Sequence, residues 1–222
     1  MSADVGMLPL VRAMQLADSG FPSGVFAFSW GLESALADGR VDRHSLSGWV
    51  LAELQGRWHG FDRLALAGGF RATGAVLGDW FASIDTLMPV ERLRGASVQA
   101  GEALFASARA LRIGLDPAAI AAERAGLGHF AVVHGHFLAV SGLDLAAALA
   151  VSALAMARGC FSAAVRLGAT GAIAMQRELA ALTPAIAALA ADLPVPGTLP
   201  AGFSPLSDIA LMRPRDGRLF IN

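Results

Sequence analysis

The chain contains no lysine; all seventeen of its basic residues are arginine. That absence excludes a phosphate-loop lysine, a Schiff-base lysine and a lysine general base, so the chain is not itself a Walker-type GTPase. Cysteine is nearly absent as well. The single Cys160 cannot close an internal disulfide, fits a reducing compartment and reads as a small buried hydrophobe. Charge is sparse: charged residues are 16% of the chain and the net charge is -1, with no basic block, which argues against nucleic acid as a partner. There is no internal repeat, no G-x-S-x-G, no H-E-x-x-H and no paired-cysteine motif. No nucleophile, base and orienter can be assembled from spacing, so neither an enzyme nor a cofactor is expected. The opening MSADVGMLPLVRAMQ lacks a basic n-region and a long apolar h-region, and a cytoplasmic location is the expectation.

What is present in excess is apolar. Hydrophobic residues reach 55% and mean hydropathy is +0.55. Much of this is alanine, a strong helix former with little to bury, so the balance points to packed helices. The 222 residues suffice for one sizeable core, and no composition shift divides them. The expectation is an all-α, single-domain helical bundle over residues 1–191. Ala125 to Leu143 holds no Asp, Glu, Arg or Lys and is long enough to cross a bilayer. It also carries three histidines and several glycines, and the next apolar run, Leu145 to Ala157, is too short to span alone. A buried helix, with no membrane partner, is the reading.

Periodicity orders the rest. Met7, Val11 and Met14 mark an opening helix that Asp18 to Pro22 terminates. Ser23 and Gly24 are then expected to start a second helix with Val25, Phe28, Leu32 and Leu36 on its core stripe. That leaves Phe26 and Trp30 on a second aromatic face, open to a partner, and Glu33 on a third. Asp42 reads as an N-cap, Gly56 and Gly60 as a break or bend, and Asp79 as the start of a short helix stopped by Pro89. A longer helix runs from Glu91 towards Gly114, Asp116 and Pro117 cap the next, and His129 to Val140 and Asp144 to Leu167 form two central apolar helices. Met175, Leu179, Leu182, Ile186 and Leu189 make a further stripe, restarted at Thr183 and Pro184. From Asp192 the run DLPVPGTLPAGFSP cannot hold a helix, which makes residues 192–222 a Pro/Gly-rich linker and an extended C-terminal tail that orders on meeting a surface.

Few side chains invite chemistry. On a helix His129 and His136 share a face, whereas His134 points elsewhere, and no carboxylate lies between Glu123 and Asp144 to support a metal. Core histidines are therefore favoured over a metal site, with His129 and His136 as the candidate ligands otherwise. Arg166 is either a helix-ending arginine satisfying carbonyls or an anchor for a partner's carboxylate. Trp30 is either core or an interface anchor, and Glu33 either solvated or paired.

Four stretches carry a family resemblance. DSGFPSGVFAFSWGLESALADGRV, from Asp18 to Val41, resembles the N-terminal signature of the urease accessory protein UreF family. Glu91, Arg92 or Arg94, Ser97 and Gly101 fit its second pattern, and CFSAAVRLGATGAIAMQREL, with Arg166, Gly171 and Gln176, its third. Pro205, Asp208, Met212, Arg218, Leu219 and Phe220 fit its C-terminal tail. The chain departs from the family at Ala27, Phe28, Ala172, Met175, Arg213 and Pro214. The resemblance implies a dimer-forming, non-catalytic assembly factor that bridges a UreD/UreH scaffold and the nickel-carrying GTPase UreG on the urease apoprotein. It also implies partner-binding roles for Phe26, Trp30, Glu33, Arg166, Gly171, Gln176, Asp208, Met212, Arg218, Leu219 and Phe220. A small nickel carrier using His129, His134 and His136, or a diverged member with another partner, are the alternatives.

Overall fold

A computed structural model describes residues 7–25, 28–200 and 219–220. Among them every regular element is helical: α1 (Met7–Ala17), α2 (Leu32–Ala37), α3 (Leu46–Glu53), a π-helix (Leu54–Asp62), α4 (Arg63–Arg71), α5 (Gly74–Leu87), α6 (Glu91–Ala110), α7 (Pro117–Arg124), α8 (Phe130–Val140), α9 (Leu145–Arg166) and α10 (Ala172–Ala191). The fold is an all-α, single-domain bundle.

Its centre is α8, where glycine lets helices touch backbone to backbone. A Cβ on Gly69 of α4 would lie 2.2 Å from the Val132 carbonyl oxygen, and one on Gly135 of α8 would lie 2.0 Å from that of Leu66. On the other side, a Cβ on Gly101 of α6 would meet the Gly128 carbonyl oxygen at 1.8 Å. No other residue fits at these three positions, so α4 and α6 clamp α8 between them. Ser97, one turn before Gly101, secures the same crossing: its Oγ accepts the Phe130 N–H at 3.2 Å, which caps the start of α8. The second sequence pattern is thus a packing device. Around this layer α9 packs against α10, α1 and the rod made by α3, the π-helix and α4.

Caps follow the expected chemistry in three places. Asp116 accepts from Ala118 at 2.8 Å, Asp144 from Ala147 at 2.7 Å, and Asp42 and Ser45 exchange side-chain to backbone bonds ahead of α3.

Several expectations are corrected. The second helix starts at Leu32 instead of Ser23, because Gly24, Trp30 and Gly31 have φ of 79°, 52° and 88°, a left-handed backbone that a right-handed helix cannot contain. That turn carries Trp30 inward, where it is 7% exposed, so it lies on no open aromatic face. Gly56 and Gly60 do not break the rod; it continues through them as a π-helix. The helix expected at Asp79 already begins at Gly74. Pro184 lies within a continuous α10 and is exposed, while Leu179, Leu182, Ile186 and Ala190 bury on both sides of it along the helix. The apolar stretch Ala125–Leu143 is broken by a turn, and its helix is only 11 residues long. Instead α9, at 22 residues, is the one described helix long and apolar enough to cross a membrane, and 56% of its apolar window is buried in the bundle.

Candidate functional site

Two places in the bundle bring unusual residues together. The first joins the N-terminal signature, the third pattern and the tail. Glu33 on α2 accepts the Leu219 N–H at 2.7 Å through Oε1 and the Phe220 N–H at 3.3 Å through Oε2. The Phe220 ring, 5% exposed, sits under the Arg166 guanidinium, whose carbon is 4.1 Å from the ring centroid. A carboxylate holding two backbone donors and a cation over an aromatic face form a two-point clasp, each contact worth about 1 kcal/mol in partly wet surroundings. Burial lowers the Arg166 pKa from its ordinary value. Leu219 beside the clasp and Ile173 at the start of α10 remain exposed, large and apolar.

Of the residues assigned to partners by resemblance, the structure therefore unites Glu33, Arg166, Leu219 and Phe220. Gly171 and Gln176 are exposed on the first turns of α10, downstream of Arg166, and join no part of the clasp. Trp30 is in the core. Phe26, Asp208, Met212 and Arg218 lie outside the described residues, as do Ala27, Arg213 and Pro214. At the other departures, Phe28 is buried, Ala172 is exposed and Met175 packs partly on the core.

The second place is a cleft open to solvent between the loop after α1, the π-helix, α8 and α9. Its inner wall carries Arg57, whose Nη2 is 3.3 Å from Asp62 Oδ2 and whose guanidinium lies 4.0 Å above the Trp30 ring. Burial pushes the Asp62 carboxyl up, and the Arg57 charge pulls it back down. The π-helix places both charges here: its wider turn displaces side chains from the register an α-helix would give. Trp58 on the same segment donates its indole N–H to Ser152 Oγ at 3.1 Å, tying the rod to α9. His134, its ring tilted at 36° against that of Phe130 with centroids 4.9 Å apart, also lines the cleft. Burial lowers its pKa to about 4. Sequence reasoning missed this site because its one local signal, Gly56 and Gly60 in a helical pattern, reads equally as a break.

The three histidines of the α8 region go separate ways. His129 is the N-cap of α8 and not part of the helix, so it shares no face with His136. Its Nε2 is 3.1 Å from Asp85 Oδ1 and its Nδ1 is 3.3 Å from Ser97 Oγ. His136 Nε2 accepts the Asp116 N–H at 3.0 Å, which puts the proton of the neutral ring on Nδ1. Among the described residues no three His, Cys, Asp or Glu side chains gather as a metal site. The Ser97, His129 and Asp85 set has the composition of a hydrolase triad, which spacing did not reveal. Yet His129 is wholly buried, and Ser97 Oγ is already taken up by the Phe130 N–H at the start of α8. The set ties α5, α6 and α8 together. Cys160 is buried, and its thiol pKa is pushed up to about 12 by that burial, which leaves it inert.

Comparison with known proteins gives a consistent result. A family model described as UreF matches residues 41–183. A protein of Azorhizobium caulinodans named "Urease accessory protein UreF" is 36% identical over 202 residues, covering 86% of this chain and 85% of its own length. Its namesake in Xanthobacter autotrophicus is 33% identical over 201 residues, covering 86% and 80%.

Proposed function

The chain belongs to the UreF family, and on that premise we propose that it serves urease maturation as a cytoplasmic, non-catalytic accessory protein that bridges a UreD/UreH-type scaffold and a UreG-type GTPase during nickel insertion. The observation that carries the reading is the clasp. The N-terminal signature, through Glu33, and the third pattern, through Arg166, meet at the tail end, so three separate stretches of family resemblance build one surface. Exposed Leu219 lies within it, giving a partner an apolar anchor beside the Glu33 carboxylate. The protein works by binding, holding the GTPase in one nucleotide state through differential affinity. A homodimer is the assembled unit, and the segment from Ser204 to Asn222 makes the contact with the scaffold.

Deleting residues 204–222 tests this reading. Co-purification with the UreD-type partner is lost while the helical circular dichroism is kept; unchanged co-purification contradicts it. The alternative of a histidine nickel carrier has less support, since the three imidazoles point to Asp85 with Ser97, to Phe130 and to the Asp116 amide.

A further inference from the structure

The cleft beside the π-helix is unfinished in its polar chemistry. Arg57 is 8% exposed, yet among the described residues its Nη1 has no hydrogen-bond partner, although Nη2 faces Asp62 and the flat of the guanidinium rests on Trp30. His134 is 6% exposed, and its Nδ1 likewise has no partner among the described residues. Ser152 Oγ uses a lone pair on the Trp58 indole, which leaves its own hydroxyl hydrogen to give. All three side chains line the same cleft. A buried donor without an acceptor costs about 1–3 kcal/mol, and more when it is charged, so two such groups on one wall call for a reason. Most of the wall is apolar, with Phe21, Trp30, Phe130 and Met156, and its other charged groups are Asp18, Asp62 and Arg158.

We propose that this cleft binds a small carboxylate with an apolar body, its carboxylate oxygens accepting from Arg57 Nη1, His134 Nδ1 and Ser152 Oγ and its body lying among Phe21, Trp30, Phe130 and Met156. A guanidinium with one edge already neutralised by Asp62 has a second edge shaped for a carboxylate. Ser152 has its hydrogen to give, and a neutral imidazole takes whichever tautomer places N–H on Nδ1, so both serve a carboxylate. At the rim Arg158 also faces the cleft, with Asp18 beside it, so charge at the mouth is balanced and selection falls to the interior. Asp62 also lines the cleft, with its carboxylate facing Arg57 Nη2 at 3.3 Å.

A substitution exists that closes the cleft without disturbing the fold. Gly159 lines it, lies within α9, and an added Cβ there meets nothing within 4 Å. Gly159→Leu fills the space and favours the helix. The experiment is titration of the purified chain with phenylacetate, phenylacetamide and phenethylamine, followed by saturation-transfer NMR and by Trp fluorescence. Phenylacetate binds at least about tenfold more tightly than the amide, as one charge-assisted hydrogen bond requires. The amine does not bind. Arg57→Gln loses that preference, Gly159→Ala keeps it, and Gly159→Leu loses binding altogether while its circular dichroism stays native. Equal affinity for acid and amide overturns the proposal, as does absence of phenylacetate binding or undiminished binding to Gly159→Leu. Because none of these measurements involves a protein partner, failure here leaves the accessory role standing.

Discussion

His129 is held from both sides, by Ser97 and by Asp85, whereas just over one turn further on His134 turns its Nδ1 to no partner among the described residues. The same contrast runs through the surroundings. At the α8 crossings glycines remove all space, and Ser97 at the α6 crossing is engaged by both Phe130 and His129. Beside the π-helix there is a cleft, a Trp at φ 52° and a guanidinium with one donor unused. The first region fixes the bundle and leaves nothing over for chemistry. The second holds strain and unsatisfied donors against the packing around it, and that combination is found where a protein binds something.

Glycine substitutions break this contrast most sharply, since one chemical change has opposite signs in the two regions. Gly135→Ala puts a methyl 2.0 Å from a backbone oxygen that cannot move aside cheaply. It costs about 3 kcal/mol or more in urea denaturation. Next in size is the response to acid. An unfolded imidazole takes up its proton near pH 6.5, and His134 in the fold only near pH 4. The stability it contributes is complete above pH 6.5 and is lost as pH falls between those values, by up to about 3 kcal/mol. Burial lowers the His129 and His136 pKa values too, so they add in the same direction. Chemical denaturation from pH 7.5 to 4 follows this loss, and His134→Phe flattens its steepest part.

Ser97→Ala removes the acceptor for the Phe130 N–H and the contact to His129, at a cost of about 1–2 kcal/mol read from the urea midpoint. The smallest effect sharpens the contrast from the open side. Gly159→Ala, with nothing to meet, stabilises by about 0.5–1 kcal/mol. A loss at that position would mean the cleft wall is closed after all.

Much of the bundle was legible in the sequence, and the misses have local causes. Long periodic segments such as Glu91–Ala110 and Leu145–Arg166 declared themselves, as did the caps at Asp116 and Asp144, because periodicity and capping are short-range. The second helix was misplaced because three consecutive decisions depend on positive φ, and only two of those positions, Gly24 and Gly31, are glycine. Nothing in the identity of Trp30 announces φ 52°. The π-helix was hidden for a similar reason, since α and π turns share one hydrophobic pattern over so short a span. Pairing across the fold was beyond reach. Glu33 and Phe220 are 187 residues apart, and only the folded chain brings that carboxylate to those amides. The resemblance named both residues, and the structure places them in one clasp.

The clasp is also where the account is most directly tested. Size-exclusion chromatography with light scattering is run on the chain alone and mixed with its cognate UreD-type and UreG-type proteins, with the Glu33→Ala, Arg166→Ala double variant alongside. The account predicts a dimer that grows into a larger complex with both partners, and a double variant that keeps its helical spectrum but loses that complex. A monomer indifferent to both partners, or a double variant that assembles as well as the parent, contradicts it.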